Sequence, residues 1–134
     1  MRGSRPTHML ITMPNDVTAP AVARNAIRQV ALLDAPDRVE QAQLLVSELV
    51  TNSVRHAVTS PADQVTLLIE VDERRIRAEV RDTGEGMPQP QPDEVRNAGL
   101  GGFGLYLVAK VATRWGVEPL EVGKRVWFEL DLTG

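Results

Sequence analysis

Glu48, Asn52 and His56 recur every four residues in the segment Glu48-Leu49-Val50-Thr51-Asn52-Ser53-Val54-Arg55-His56. In a helix, residues so spaced share one stripe. At about 100° per residue, this stripe borders an apolar arc of Ala42, Leu45, Val46, Leu49, Val50 and Val54. Solvated side chains would sit opposite such an arc. These three lie at its edge, where a pocket wall would be. An Asn amide oxygen suits Mg²⁺, a hard cation that also takes oxygens from substrate phosphates. A carboxylate one turn away can orient or deprotonate a nucleophile. The same spacing also serves as the ordinary polar flank of a helix.

A second segment, Asp82-Thr83-Gly84-Glu85-Gly86-Met87, follows directly on an alternating apolar run that ends at Val80. An Asp followed by glycines makes a turn. It also presents a carboxylate to the amino group of a base, with backbone free to come close to the ligand. The third segment is Gly99-Leu100-Gly101-Gly102-Phe103-Gly104-Leu105, which leads into a helical pattern. Glycines permit close backbone approach, and a helix N-terminus offers free N–H groups to phosphate. No Lys-Ser/Thr follows these glycines, so they do not form a P-loop. They do not follow a first strand either, which excludes a dinucleotide fingerprint.

The elements that must hold these segments can be read from periodicity. Leu10-Ile11-Thr12-Met13 reads as a short edge strand. Thr18 is a good N-cap with Pro20 just inside, starting a helix that runs to about residue 33. Asp34-Ala35-Pro36-Asp37 repeats the start signal, and a second helix reaches about residue 58. Val65, Leu67, Ile69 and Val71 alternate, as do Ile76, Ala78 and Val80, which predicts a hairpin turning at Asp72-Glu73-Arg74-Arg75. Pro88, Pro90 and Pro92 stand among the glycines that follow. Loops of that length are functional or disordered, and residues 87–104 read as a lid. A helix over 105–112, a strand over 115–120 and a last strand carrying Val126, Phe128, Leu130 and Leu132 complete the order. The fold class is α+β: a two-layer sandwich with a mixed, mainly antiparallel sheet and helices on one face.

The 134 residues suffice for one domain with a core of its own. Residues 1–9 read as a tail, its Met1-Arg2-Gly3-Ser4 of the kind a cloning tag leaves, and 10–134 as the domain. A net charge of -3 argues against nucleic acid as the main partner. The absence of cysteine excludes disulfides and thiol chemistry and fits a cytoplasmic protein. No apolar run is long enough to cross a bilayer, and no signal peptide is apparent.

Together, the order and spacing of the three segments resemble the N, G1 and G2 boxes of the GHKL ATPase superfamily, whose fold is the Bergerat ATP-binding fold. Within it, Glu48-Leu49-Val50-Thr51-Asn52-Ser53-Val54-Arg55-His56-Ala57 looks like the small anti-sigma-factor serine kinases of bacteria, as does Val126-Trp127-Phe128-Glu129-Leu130. The resemblance implies ATP and Mg²⁺ as cofactors, with Asn52 the Mg²⁺ ligand and Glu48 the catalytic base or water-positioning residue. It implies that Asp82 accepts from the adenine amino group and that Gly84, Gly86 and Met87 shape the base pocket. Gly99, Gly102, Phe103, Gly104 and Leu105 would bring backbone N–H groups to the phosphates. His56 would lie near the nucleotide or be a buried structural histidine. One position departs from the pattern: many relatives carry Thr just before the last-strand Val, where this chain has Arg125, preceded by Lys124. The implied function is phosphorylation of a serine on an anti-anti-sigma-type partner and sequestration of a sigma factor, by a protein that forms a homodimer. The alternative is a non-catalytic module whose hold on a partner nucleotide controls. A histidine kinase fragment fits less well, since neither His8 nor His56 sits on a dimerising helical domain.

Overall fold

Alternate apolar side chains make a strand half-buried, and a stripe at intervals of three and four makes a helix half-buried. Stacking these faces against one another builds this molecule. The computed structural model describes residues 7–56, 64–83 and 103–132. The elements are β1 (Thr7–Pro14), α1 (Ala19–Val30), α2 (Pro36–His56), β2 (Gln64–Val71), β3 (Arg75–Asp82), α3 (Phe103–Val111), β4 (Arg114–Pro119) and β5 (Lys124–Asp131). The strands form one sheet in the order β1-β2-β3-β5-β4. The helices cover one face. α1 buries Ala19, Ala23, Ala26, Ile27 and Val30, and α2 buries Ala42, Leu45, Val46, Leu49 and Val50. Against them lie Val65, Leu67, Ile69, Ile76, Ala78, Val80, Phe128 and Leu130, all essentially inaccessible to water.

The two-layer α+β sandwich agrees with the pattern of the sequence. Its sheet is not mixed, however: every strand pair among the described residues is antiparallel. Two helices rather than one separate β1 from β2. They return the chain to the end where β1 stopped, so β2 runs back against it. Among the described residues α3 lies between β3 and β4 in the chain, and those two strands run in the same direction. β5 lies between them and pairs antiparallel with both, so no parallel neighbours remain.

Two local details differ from expectation. β1 begins at Thr7, ahead of Leu10, because its backbone stays in register with β2 as far as Thr7 opposite Val71. Thr18 is not an N-cap of the expected kind. Its backbone is already helical and its side chain caps nothing. Instead the Thr18 hydroxyl and N–H both donate to Asp16 Oδ1, and the Thr18 hydroxyl holds the Asp16 carboxyl below its ordinary value.

The face away from the helices carries charges in register. Glu79 is buried and takes Arg81 Nε at 2.5 Å, Arg77 at 3.3 Å and Arg125 at 3.9 Å. Arg77 also lies 4.7 Å from the centre of the Trp127 ring, a cation–π contact. The ring passes over Gly116, where a Cβ would come within 2.8 Å of it. Arg125 donates to Glu118 at 3.0 Å and holds that carboxyl below the usual range. Glu129 is shared by Arg75, Arg77 and Arg114.

Candidate functional site

The buried stripe of α2 continues past Val50 to Ser53, which is only 4% exposed. A hydroxyl at that depth needs a partner, and it finds one across the layer: Ser53 Oγ donates to Asp82 Oδ2 at 2.7 Å. Asp82 is the last residue of β3. Its parity is that of Ile76, Ala78 and Val80, so it faces the helices. There it is the polar end of an apolar row. Burying a carboxylate is costly unless it is paired and hydrogen-bonded.

The pairing comes from β5. Lys124 stands opposite Asp82 in the β3–β5 register. It shares the helix-facing parity of Val126, Phe128 and Leu130. Lys124 Nζ donates to Asp82 Oδ1 at 3.0 Å, and the two side chains are 8% and 1% exposed. Such a charge-assisted hydrogen bond is stronger than a neutral one. Gly123 makes the approach possible. It has φ of 80° in the turn before β5, and a Cβ there would lie 1.8 Å from the Asp82 carbonyl oxygen. Only glycine meets both demands.

Glu48 and Asn52 are half-buried at the border of the α2 stripe, as their spacing predicts. The Ser53–Asp82 hydrogen bond thus ties the helix segment that carries them to the end of β3. α3 ends where β4 begins, at the end of the sheet away from Asp82. Its first turn, with Phe103 and Gly104, therefore points back towards the Asp82 end. Leu105 is fully buried in the core. His56 closes α2, and its side chain lies outside the described residues, as do Gly84, Gly86, Met87, Gly99, Gly102 and the lid up to residue 102.

Sequence reasoning assigns no role to two members of this cluster, Ser53 and Lys124, and puts the departure from the family pattern at Arg125. Arg125 does not face Asp82. It lies on the opposite side of the sheet with Glu79 and Glu118. Strand side chains alternate with period two, and the buried Val126 and Phe128 fix which of Lys124 and Arg125 turns inward. That parity is the signal that could have found it.

The donor set suits a nucleotide. Asp82 offers acceptors to a base amino group. Asn52 and Glu48 offer oxygens on the same helix. Among the described residues no group of three or more His, Cys, Asp or Glu could hold a metal by itself. A cation beside Asn52 would therefore be one that phosphate oxygens complete, as Mg²⁺ is in such sites.

A family model described as "Histidine kinase-like ATPase domain" matches residues 13–130. The chain belongs to the histidine kinase-like ATPase family. The matched stretch of this ATPase domain holds α2 with Glu48 and Asn52, the Ser53–Asp82–Lys124 cluster and α3. No curated protein matches the sequence. Among solved structures, the RsbU and RsbW domains of Rv1364c from Mycobacterium tuberculosis are similar over 95% of this chain and 32% of that one, at 17% identity and a TM-score of 0.65. The histidine kinase domain of the Erythrobacter litoralis EL346 blue-light activated histidine kinase is similar over 90% of this chain and 62% of that one, at 20% identity and a TM-score of 0.47. The ATPase domain therefore spans about a third of the first structure, and the likeness to it is one of fold. No helix among the described residues is long and apolar enough to cross a membrane.

Proposed function

We propose that this ATPase domain binds Mg-ATP between α2 and the Asp82 end of the sheet and transfers its γ-phosphoryl group to a serine of a partner protein. The observation that carries the proposal is the Ser53–Asp82 hydrogen bond at 2.7 Å. It brings the carboxylate suited to a base within one residue of Asn52 and about a turn of Glu48. Asp82 would accept from the base, with Gly84, Gly86 and Met87 beside it. Asn52 would share Mg²⁺ with the phosphates. Backbone N–H groups from Gly99 and Gly102 to Leu105 would receive the phosphate oxygens, with residues 87–104 as the lid. His56 would complete the nucleotide's surroundings.

Phosphoryl transfer asks mainly for positioning and charge neutralisation. Bound Mg²⁺ supplies part of the neutralisation. Glu48 takes the proton of the attacking serine hydroxyl, the serine oxygen bonds to the γ-phosphorus, and ADP leaves. The motif around Glu48 resembles the anti-sigma-factor kinases. That resemblance supports an anti-anti-sigma-type protein as the partner, sequestration of a sigma factor, and a cytoplasmic homodimer.

Glu48→Gln tests this reading, because it keeps shape while removing the basic oxygen. Transfer to a partner recovered from the host should fall by about 10²–10⁴-fold, while calorimetry shows nearly unchanged ATP affinity. Equal transfer by both forms would remove Glu48 from the chemistry. ATP binding without transfer in either form, with the true partner present, would leave a nucleotide-controlled binding module.

A further inference from the structure

The backbone alone does not aim an Asp side chain. Its terminal torsion is broad and roughly two-fold, and a hydrogen bond weakens steeply out of line. A carboxylate that must meet one particular amino group therefore needs its plane held by its neighbours. At Asp82 that hold comes from two elements. Ser53 Oγ reaches Oδ2 from α2 at 2.7 Å, and Lys124 Nζ reaches Oδ1 from β5 at 3.0 Å. These are not the only contacts of Asp82, but the one from Lys124 carries charge and is the stronger for it. Its origin is fixed as well. Lys124 stands opposite Asp82 in the strand register, and a Cβ on the preceding Gly123 would lie 1.8 Å from the Asp82 carbonyl oxygen. The two side chains are almost wholly buried, which leaves little room for either to swing. Arg125, the next residue, works on the other face with Glu79 and Glu118.

Resting on the ATP site proposed above, we infer that Lys124 is a positioning residue for base recognition. It acts through Asp82 rather than on the nucleotide, and holds the carboxylate plane so that it accepts from the 6-amino group of adenine. The amino group joins the ammonium on Asp82 and does not displace it, since a carboxylate accepts at about four lone-pair sites. ATP then meets a carboxylate that is already oriented and whose charge is already balanced. A site organised in advance loses less of its binding energy to ordering.

Calorimetry on the full chain with Mg²⁺ tests this, using ATP and purine riboside triphosphate. The latter carries hydrogen where adenine carries the 6-amino group, so the comparison isolates that one hydrogen bond. The wild type should prefer ATP by about 10–150-fold, the effect of one hydrogen bond to a charged group, and Asp82→Ala should abolish the preference. Lys124→Met keeps the stem and removes the ammonium. It should cut the preference by at least about fivefold, whereas a merely structural role would weaken both nucleotides alike. The chain has no cysteine, so Lys124→Cys can be aminoethylated in urea and refolded. That restores an ammonium at nearly the same reach and should restore the preference. In the wild type, nuclear magnetic resonance should show the Lys124 ammonium protons equally sheltered from water before and after ATP binds. Free exchange of those protons once ATP is bound overturns the inference, whether or not the Met variant folds. So does a folded Lys124→Met that keeps the wild-type preference or exceeds it. If the wild type binds neither nucleotide, the ATP site itself is refuted. If it binds both alike, base recognition by Asp82 falls and the role of Lys124 with it. If Asp82→Ala abolishes the preference and Lys124→Met does not, only the role of Lys124 falls.

Discussion

β3 carries two buried carboxylates three residues apart, and the odd spacing sends them to opposite faces of the sheet. Glu79 faces away from the helices and is surrounded by Arg77, Arg81 and Arg125. Asp82 faces the helices, with the Lys124 ammonium on one oxygen and the Ser53 hydroxyl on the other. Glu79 has overlapping donors, each partly in water, so any one can leave and be replaced. Asp82 is held by neighbours from two different elements, α2 and β5, in a dry setting. A redundant network suits a surface that only has to be neutralised. A pair drawn from two elements suits a carboxylate whose position must be fixed.

The largest expected effect comes from breaking the buried ion pair. Asp82→Ala strands Lys124 in the interior. Removing one partner of a buried ion pair costs about 3–5 kcal/mol, which urea denaturation would register. Asp82→Ala combined with Lys124→Met should recover much of that stability, because no charge is then left unpaired, while ATP affinity stays lost. If Asp82→Ala alone is as stable as the wild type, the contrast between the two carboxylates collapses.

Ser53→Ala should have an intermediate effect. It removes a buried hydrogen bond to Oδ2 of Asp82, at about 1–3 kcal/mol. A loss no greater than that of a surface substitution would mean that Ser53 does not hold Asp82. The smallest effect belongs to the redundant side. Arg81→Met should cost less than about 1 kcal/mol, since Arg77 and Arg125 stay near Glu79. A loss as large as that of Ser53→Ala would show that the open-face network is not redundant.

Much of this frame is legible in the amino-acid sequence. The hairpin of β2 and β3 follows from strict alternation, and the buried stripe of α2 from intervals of three and four. The half-burial of Glu48 and Asn52 follows from their place beside that stripe. These are local signals, written within one element. The partners of Asp82 are not legible, because they come from α2 and β5 and meet it only through packing and strand register. Ser53 reads as one more polar residue on a helix flank. Lys124 and Arg125 are neighbours of like charge, and only the inward parity of β5 tells them apart. The uniformly antiparallel sheet is hidden for a similar reason: nothing in β4 or β5 says which of them lies next to β3.

That last placement has a consequence for how the molecule comes together. β5 follows every other described strand in sequence, yet it occupies an interior slot of the sheet, between β3 and β4. Until it inserts, β3 shows an open edge of unpaired backbone groups, and β4 has no neighbour at all. Open edges invite pairing with another chain, and closing such long-range pairings is slow. A fragment ending before residue 124 would carry α2 and Asp82 without the strand that seals them. It should self-associate rather than persist as a smaller, weaker version of the domain.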